Sequence, residues 1–338
     1  MITVTVLGSG SWGTAVATLL AANGCQVKLW CREESVANEI ALFHANSAYL
    51  PGIKLNDRIV PVTTLKEALE NVVYVFEAIP VKHLRSVLEQ ARNYYRADQV
   101  WVVLSKGMEQ HTLMLPTQVI DDVFNIKNDQ FALRAVFSGP SFAQDLAQHK
   151  ITAVTIAAVD YTVGKEIQTL LANGFFRPYI SLDIIGAQVG GAVKNIITLG
   201  VGMLDGAGYT DNAKAFLLTR GLHEVAHIAQ ALGGRSETIY GLSGVGDLVL
   251  TAMGKLSKNL AAGKRLGAGE TLESMRKQSA TMPEGINTVE SIYQLLIIKS
   301  LDLPICKGIY EIIFNKKPLN TFLAELMNRP LESDCKLN

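Results

Sequence analysis

The fold is decided by residues 3–24, which read TVTVLGSGSWGTAVATLLAANG. The apolar segment Thr3–Leu7 leads directly into GSGSWG at residues 8–13, and a helical stretch follows as far as Gly24. Glycine suits this turn because the backbone must bend sharply and let a pyrophosphate approach the amide groups at the positive end of the helix. The order of strand, G-x-G-x-x-G and helix therefore predicts a dinucleotide-binding turn, with a plain glycine turn as the alternative.

Strand and helix patterns alternate through the first half of the chain. Several of the strand segments are short and almost entirely apolar, as strands covered on both faces should be. The pattern predicts an α/β fold class with an N-terminal Rossmann-type sheet that is doubly wound and mostly parallel. The predicted strands are 3–7, 26–30, 72–78, 100–104, 133–137 and 152–157, with a last extended segment at 177–180.

The second half of the chain changes to the helical period of 3.6. One apolar stripe consists of Leu218, Leu222, Val225, Ala229 and Leu232, and further helices are predicted at 257–267, 285–298 and 304–314. We therefore expect a Rossmann domain over residues 1–182. An all-α domain for substrate binding and dimerisation is expected over residues 183–338.

The composition narrows the class of protein. The chain has 338 residues, enough for two domains, and its 31 lysines and arginines balance 31 aspartates and glutamates. This balance gives no electrostatic reason to expect nucleic acid or an anionic membrane surface as a partner. Only 18% of the residues are charged and 49% are apolar, so much of the chain must be interior or subunit interface. A homodimer is therefore expected.

Cysteine usage and the N-terminus point to the cytoplasm. No basic segment or cleavage site precedes the first strand, so we do not expect a signal peptide. The cysteines are scattered and lack the spacing of a metal site, as in proteins with reduced thiols. They are Cys25, Cys31, Cys306 and Cys335.

The longest apolar stretch, Ile184–Leu204, has the length of a membrane span. It carries Gln188, Lys194 and Asn195 near its centre, which favours a buried helix and argues against stable membrane insertion. Lys194 has no acid within ten residues on either side. Because desolvation lowers the pKa of a lysine, such a residue can take a proton from an alcohol as hydride leaves the same carbon. The alternative is a lysine that reaches solvent from the helix edge.

The end of the second strand bears on the choice of nicotinamide cofactor. An acid there would hydrogen-bond the ribose 2′-hydroxyl, whereas an arginine suits a 2′-phosphate. Arg32 comes first and Glu33 and Glu34 follow. The order favours NADP(H) and leaves NAD(H) possible, with a solvated charge cluster as the structural alternative.

Three further segments carry polar groups suited to a phosphate or a carbonyl oxygen. Ser105-Lys106-Gly107 and SGPSFA at 138–143 each follow an apolar strand, at the sheet edge where ligands bind. Asp247 ends a glycine-rich loop, and Ser257-Lys258-Asn259 opens the next predicted helix. Taken alone, each segment is equally compatible with an ordinary turn or helix cap.

A zinc-binding pattern, HExxH, occurs at His223-Glu224-Val225-Ala226-His227. The two histidines share a polar face with Arg220, and a cation one turn before the first ligand opposes zinc. No third histidine follows. We therefore expect no metal site.

Taken together, these motifs closely resemble the bacterial NAD(P)-dependent sn-glycerol-3-phosphate dehydrogenases. Several motifs in the right order are far more specific than any one of them. The resemblance covers nearly the whole chain. The matching segments are GSGSWGTA (8–15), H-x-N-x-x-YLPG (44–52), SKG (105–107), SGPSFA (138–143), GGAVKN (190–195), N-x-K (212–214), TRGL (219–222), GLSGVGDLVLT (241–251) and Glu284-Gly285.

The resemblance implies interconversion of dihydroxyacetone phosphate and sn-glycerol 3-phosphate for phospholipid synthesis, with a helical domain like that of 6-phosphogluconate dehydrogenases. It implies that Lys194 is the catalytic proton acceptor. The implied substrate contacts are Lys106, Gly139, Ser141, Lys194, Asp247, Ser257, Lys258 and Asn259. The cofactor contacts, including the glycine turn, are Gly8, Gly10, Ser11, Trp12, Gly13, Arg32, Lys106, Ala143, Lys258, Met282 and Glu284.

One residue departs from the family pattern, which has arginine where this chain has Lys258. Lysine keeps a point charge for phosphate but loses the two-bond fork. Arg265, two helical turns further on, is a candidate source of the missing guanidinium.

Two other functions remain open at this point. A 3-hydroxyacid or 6-phosphogluconate type dehydrogenase shares the layout, but in those families an asparagine follows the lysine by four residues, where this chain has Thr198. A non-catalytic NADPH-binding sensor is the second alternative.

Overall fold

The computed structural model describes residues 1–127, 133–279 and 282–331, so Cys335 lies outside the described residues. The N-terminal part is an eight-stranded sheet. Its strands are β1 (Thr3–Leu7), β2 (Gln26–Trp30), β3 (Ile59–Val62), β4 (Tyr74–Glu77), β5 (Val100–Val103), β6 (Arg134–Ser138), β7 (Thr152–Ala158) and β8 (Phe176–Ser181).

The order of strands in the sheet is β3-β2-β1-β4-β5-β6-β7-β8. All neighbouring pairs are parallel except β6 and β7. The chain reverses its direction of growth between β1 and β4, and such a point leaves a crevice at the carboxyl ends of the strands. This topology confirms the predicted doubly wound, mostly parallel sheet.

Helices cover the sheet and then form a separate bundle. Those of the first part are α1 (Ser11–Ala22), α2 (Glu34–Phe43), α3 (Leu65–Leu69), α4 (Val81–Ala91), α5 (Pro116–Phe124), α6 (Ala143–Ala147) and α7 (Tyr161–Leu171). The bundle consists of α8 (Ile184–Gly206), α9 (Asp211–Ala231), α10 (Ser236–Ile239), a π-helical turn (Leu242–Gly246), α11 (Asp247–Met253), α12 (Lys258–Gly267), α13 (Leu272–Gln278), α14 (Glu284–Lys299), α15 (Pro304–Asn315) and α16 (Leu319–Met327).

The central element of the bundle is α8. Its length and composition would suit a membrane span, but 89% of its most apolar 18-residue window is buried inside the protein. Asp183 caps the helix, since its Oδ1 accepts a hydrogen bond from the Gly186 amide at 2.8 Å. The apolar stretch is therefore the core helix of the second part of the chain, around which α9, α11, α12 and α14 pack.

Helices α8 and α12 meet backbone to backbone. A Cβ added to Gly206 would lie 2.0 Å from the carbonyl oxygen of Lys264, and one added to Gly267 would lie 2.0 Å from that of Met203. Even alanine would therefore force the helices apart. We call the four glycines at this contact the glycine seam: Gly202, Gly206, Gly263 and Gly267.

The glutamate of the HExxH pattern caps a neighbouring helix. Glu224 is buried, and its two carboxylate oxygens accept hydrogen bonds from the backbone amides of Ile305 (2.6 Å) and Cys306 (2.8 Å) in the first turn of α15. Burial raises the pKa of Glu224 to about 7, and the two amides oppose this rise. Within the described residues, no group of three metal-ligating side chains could hold an ion.

Replacing Glu224 with alanine is expected to lower the free energy of unfolding by about 1–3 kcal/mol, because two buried amides lose their acceptor.

The carboxyl group of Glu224 should also make the stability of the protein depend on pH. Its pKa is higher in the folded chain than the ordinary 4.5, so the folded state binds the proton more tightly, and stability falls as pH rises from 4.5 to about 7. Urea unfolding of wild type and Glu224→Gln across this range checks the sign. An equal slope in both proteins would assign the effect to other groups.

Candidate active site

The predicted dinucleotide turn has room only for glycine on its protein side. Gly8 has φ +117°, and an added Cβ would lie 2.8 Å from the carbonyl oxygen of Ala78. A Cβ on Gly13 would lie 1.9 Å from the carbonyl oxygen of Gly8. Beside Gly10, the residue that precedes α1, no protein atom lies within 4 Å of the Cβ position. This space next to the helix N-terminus fits a pyrophosphate.

A buried asparagine holds the turn from behind. Asn46 Nδ2 donates to the carbonyl oxygen of Ser9 and to Thr14 Oγ1, both at 2.8 Å. Ser11 Oγ donates to the carbonyl oxygen of Tyr49 at 2.5 Å. These contacts give the H-x-N-x-x-YLPG segment a structural role. The sequence showed this segment as a motif but did not predict what its residues do.

Arg32 follows β2 at the outer end of this crevice. Its side chain is largely exposed, and Nη2 lies 3.2 Å from Glu33 Oε1. Tyr49 OH donates to the same oxygen at 2.9 Å. Arg32 is therefore accessible to a ligand, but Glu33 competes for its charge.

The candidate catalytic Lys194 and the predicted substrate contact Lys106 share one buried carboxylate. Asp247 Oδ2 lies 2.6 Å from Lys106 Nζ, and Oδ1 pairs with Lys194 Nζ. Lys194 Nζ also donates to Thr251 Oγ1 at 2.8 Å. Lys106 comes from the turn after β5, whereas the other groups come from α8 and α11. The cluster therefore joins the two parts of the chain at the carboxyl edge of the sheet.

The glycines before Lys194 allow this close approach. A Cβ on Gly190 would lie 2.5 Å from the carbonyl oxygen of Ser243 in the π-helical turn. A Cβ on Gly191 would lie 2.9 Å from Ser138 Oγ and 3.4 Å from Lys106 Cδ. The backbone of the π-helical turn therefore approaches α8 closely, next to Lys194.

Burial sets the protonation of Lys194. It lowers the pKa of Lys194 to about 8; the negative charge of Asp247 opposes the shift, and the positive charge of Lys106 adds to it. A lysine with this pKa exchanges a proton near neutral pH, as a general acid or base must. Thr251, which sequence reasoning did not select, lies one helical turn after Asp247 and returns a hydrogen bond to the Asp247 carbonyl oxygen at 2.6 Å.

Gly139 and Ser141 lie beside Lys106. The carbonyl oxygen of Gly139 accepts hydrogen bonds from Lys106 Nζ at 3.3 Å and from Ser141 Oγ at 3.0 Å. Gly139 has φ +147°, and an added Cβ would lie 3.0 Å from Val154 Cα. Ala143, two residues further on, begins α6.

A second polar group links three helices next to Lys194. Asn259 Nδ2 donates to Asn195 Oδ1 at 3.0 Å, and Asn259 Oδ1 accepts from the Gly285 amide at 3.1 Å. Ser257 caps α12 by accepting from the Leu260 amide at 3.1 Å. Asn195, which the sequence showed only as a polar residue in the apolar stretch and as the last residue of GGAVKN, is thus part of the candidate site.

Lys258 and Glu284 begin α12 and α14, and both are exposed. The surrounding protein raises the pKa of Glu284, while the charges of Lys106, Lys194 and Lys258 oppose this rise. Because Glu284 is exposed, water limits the shift. Met282 is half-buried just before α14.

Arg265 is engaged elsewhere. Its guanidinium forms a two-bond pair with Glu270, with both nitrogen–oxygen distances at 2.6 Å, and also reaches Gln278 Oε1. The residue belongs to the last turn of α12, whereas Lys258 is in the first. The structure therefore does not bring Arg265 to the position of the missing family arginine.

The chain matches known proteins of one family over nearly its full length. The N-terminal profile of NAD-dependent glycerol-3-phosphate dehydrogenase matches residues 3–163, and the C-terminal profile matches residues 183–324. A glycerol-3-phosphate dehydrogenase (NAD(P)+) of Bacillus thuringiensis (strain Al Hakam) is 39% identical over 329 residues, which cover 97% of this chain and 96% of that protein.

Solved structures show the same architecture. The glycerol-3-phosphate dehydrogenase of Coxiella burnetii superposes with a TM-score of 0.90 at 30% identity, covering 97% of this chain and 99% of that chain. The enzyme of Saccharomyces cerevisiae gives a TM-score of 0.84 at 25% identity, with the same coverage. By these matches, the chain belongs to the NAD-dependent glycerol-3-phosphate dehydrogenase family.

Proposed function

We propose that this chain interconverts dihydroxyacetone phosphate and sn-glycerol 3-phosphate with a nicotinamide cofactor. The observation that carries the proposal is the buried cluster of Lys106, Asp247 and Lys194, which joins the turn after β5 to α8 and α11. It provides a proton donor with a pKa of about 8 at the edge of the sheet where a dinucleotide binds.

The residues of the cluster have distinct roles in ketone reduction. A bound nicotinamide would supply the hydride for the carbonyl carbon. Lys194 donates its proton to the carbonyl oxygen, and in the reverse direction its neutral amine accepts the proton of the alcohol. Asp247 and Thr251 fix the position of the Lys194 amine. Lys106 places a second positive charge beside the oxygen that becomes negative.

The first turn of α12 is the proposed phosphate site. The positive end of its helix dipole favours an anion, and Lys258 adds a positive charge. Ser257 and Asn259 flank Lys258 in the chain, and the family resemblance adds Gly139 and Ser141, which are hydrogen-bonded to each other, as further substrate contacts. These contacts stay predictions for substrate binding.

We propose the cofactor contacts from the glycine turn and, for the other residues, from the family resemblance. The glycine turn with Ser11 and Trp12 holds the pyrophosphate, and Arg32 takes the 2′-phosphate, which favours NADP(H) over NAD(H). The family resemblance adds Ala143, Met282 and Glu284 as cofactor contacts, with Lys106 and Lys258 shared between cofactor and substrate.

The proposal also covers the compartment, the oligomeric state and the domains of the protein. We infer a cytoplasmic homodimer that supplies glycerol phosphate for phospholipid synthesis. The division into domains 1–182 and 183–338 coincides with the short link between the end of β8 and the start of α8. The low charge content supports burial of further surface between two copies.

The direct test follows the nicotinamide absorbance of the purified protein with dihydroxyacetone phosphate and either NADPH or NADH. We expect oxidation of the cofactor that depends on the ketone. Turnover of a 3-hydroxyacid or of 6-phosphogluconate instead would support the alternative dehydrogenase. Cofactor binding with no turnover of any of these compounds would support the sensor.

Replacing Lys258 with arginine is expected to lower KM for dihydroxyacetone phosphate by up to about tenfold, because a guanidinium can form a second charge-assisted hydrogen bond to the phosphate. Dihydroxyacetone itself, which lacks the phosphate, is the control substrate and should show no gain. Arg265→Ala should act additively with this change, since Arg265 pairs with Glu270. An unchanged or higher KM for Lys258→Arg would show that the pocket is already fitted to lysine.

A further inference from the structure

A buried carboxyl group that the proposed mechanism does not use lies at the end of β4. Glu77 is fully buried, and its Oε1 accepts a hydrogen bond from the Ile79 amide at 2.6 Å. Its Oε2 accepts from Ser105 Oγ at 2.7 Å. The other residues of β4 are Tyr74, Val75 and Phe76, so Glu77 interrupts an otherwise apolar or aromatic strand.

Glu77 lies between the two ligand-binding turns. In the sheet it pairs with Leu7 of β1 and with Val103 of β5. The residue after it, Ala78, provides the carbonyl oxygen against which Gly8 packs. On the other side, its partner Ser105 directly precedes Lys106 in the chain. One carboxyl group therefore connects the entry to α4 with the turn that carries Lys106.

Burying the carboxyl group of Glu77 at the end of β4 costs free energy. Burial raises the pKa of Glu77 to about 7, and the hydrogen bonds from Ser105 and Ile79 only partly oppose the rise. Glu284 at the start of α14 adds a further like charge. An apolar residue would suit a strand that is covered on both faces. Stability alone therefore does not account for a carboxyl group here.

We propose that Glu77 is a positioning residue, which holds the Ser105–Gly107 turn so that Lys106 reaches both Asp247 and the substrate. The inference rests on the proposed function, since it takes Lys106 as a substrate contact. Besides the Glu77 side chain, β4 supports this region through the hydrogen bond from the Leu104 amide to the Glu77 carbonyl oxygen at 2.8 Å, one residue before Ser105.

The main test compares Glu77→Val with Glu77→Gln. Valine fits the strand but leaves Ser105 Oγ and the Ile79 amide without their acceptor, so KM for dihydroxyacetone phosphate should rise about tenfold, the loss of one charge-assisted hydrogen bond. Glutamine can accept from Ile79 and bond to Ser105, so it should restore KM to within about threefold of wild type. Ser105→Ala removes the hydroxyl contact to Glu77 and leaves that of the Ser105 backbone amide, so KM should rise in the same direction as in the valine variant.

Glu224→Gln is the matched control. Glu224 is also a buried carboxyl with two hydrogen bonds and a pKa of about 7, but it caps α15 and does not contact the lysine cluster. It should alter thermal stability without changing KM. If Glu77→Val and Ser105→Ala keep the wild-type KM and change only the melting temperature, Glu77 is structural and the inference is wrong.

A second readout does not depend on the substrate. Brief acetylation with acetic anhydride, followed by mass spectrometry, measures the reactivity of Lys106 relative to the exposed Lys258. We expect at least threefold faster acetylation of Lys106 in Glu77→Val and in Ser105→Ala than in wild type. Wild-type protein inactive with dihydroxyacetone phosphate would contradict the proposed function, and the acetylation ratio would then decide the positioning role alone.

Discussion

Replacing Lys194 with methionine is expected to lower kcat for dihydroxyacetone phosphate reduction by about 10²-fold or more, the usual contribution of general acid–base catalysis. Methionine keeps much of the volume of lysine but has no proton to donate. Binding of the cofactor should change little, because the glycine turn and Arg32 lie on other elements. Stopped-flow or steady-state absorbance gives kcat, and quenching of tryptophan fluorescence gives the cofactor Kd.

The control for this variant is Lys165→Met, which removes an exposed lysine of α7. Its kcat should equal that of wild type. Lys194→Met with a kcat within threefold of wild type would assign the proton transfer to another group, of which Lys106 is the nearest candidate.

The pH dependence of the two directions should be opposite. Alcohol oxidation needs the neutral amine of Lys194, so its kcat should rise with pH and level off above about 8. Ketone reduction needs the ammonium form, so its kcat should fall above the same pH. Rates measured in both directions from pH 6 to 10 check this, and parallel profiles would contradict the role of Lys194.

Replacing Arg32 with alanine is expected to weaken NADPH by about 1.5–3 kcal/mol, the range for hydrogen bonds to a charged group, which is roughly 10- to 150-fold in Kd. NADH should bind almost as tightly as before, since it lacks the 2′-phosphate. Fluorescence titration of the two cofactors with both proteins provides the four Kd values.

The neighbouring acid provides a matched variant. Glu33 lies 3.2 Å from Arg32 and carries a charge that opposes a phosphate. Glu33→Gln should therefore tighten NADPH relative to NADH. Equal losses for both cofactors in Arg32→Ala would mean that Arg32 only supports the loop after β2.

Elements with a strong local pattern were predicted within one or two residues. β1 and β2 have the predicted bounds, because apolar strands flank the glycine turn on both sides. β3 was missed, since it has four residues at the sheet edge and contains Pro61. Such a strand forms because β2 offers a free edge, which is information from tertiary structure and not from the segment itself.

Some residues of the candidate site could likewise be predicted from the sequence, and others could not. Lys194 could be found from the sequence, because a lysine in an acid-free apolar helix is unusual. Thr251 and Glu77 could not, since a threonine in a helix and a glutamate at a strand end are ordinary residues until the fold brings them to Lys194 and Ser105. The partner of a polar residue depends on long-range contacts that no local pattern encodes.

The glycine seam fixes the distance between two parts of the candidate site. Lys194 and Asn195 lie on α8, and Lys258 and Asn259 begin α12, so the seam sets the span between the proton-transfer group and the proposed phosphate site. Because main chain rests on main chain there, no change of rotamer can lengthen or shorten that span. We expect selection for a longer or shorter substrate to alter the side chains around Lys194 and around Lys258, while the four glycines stay unchanged.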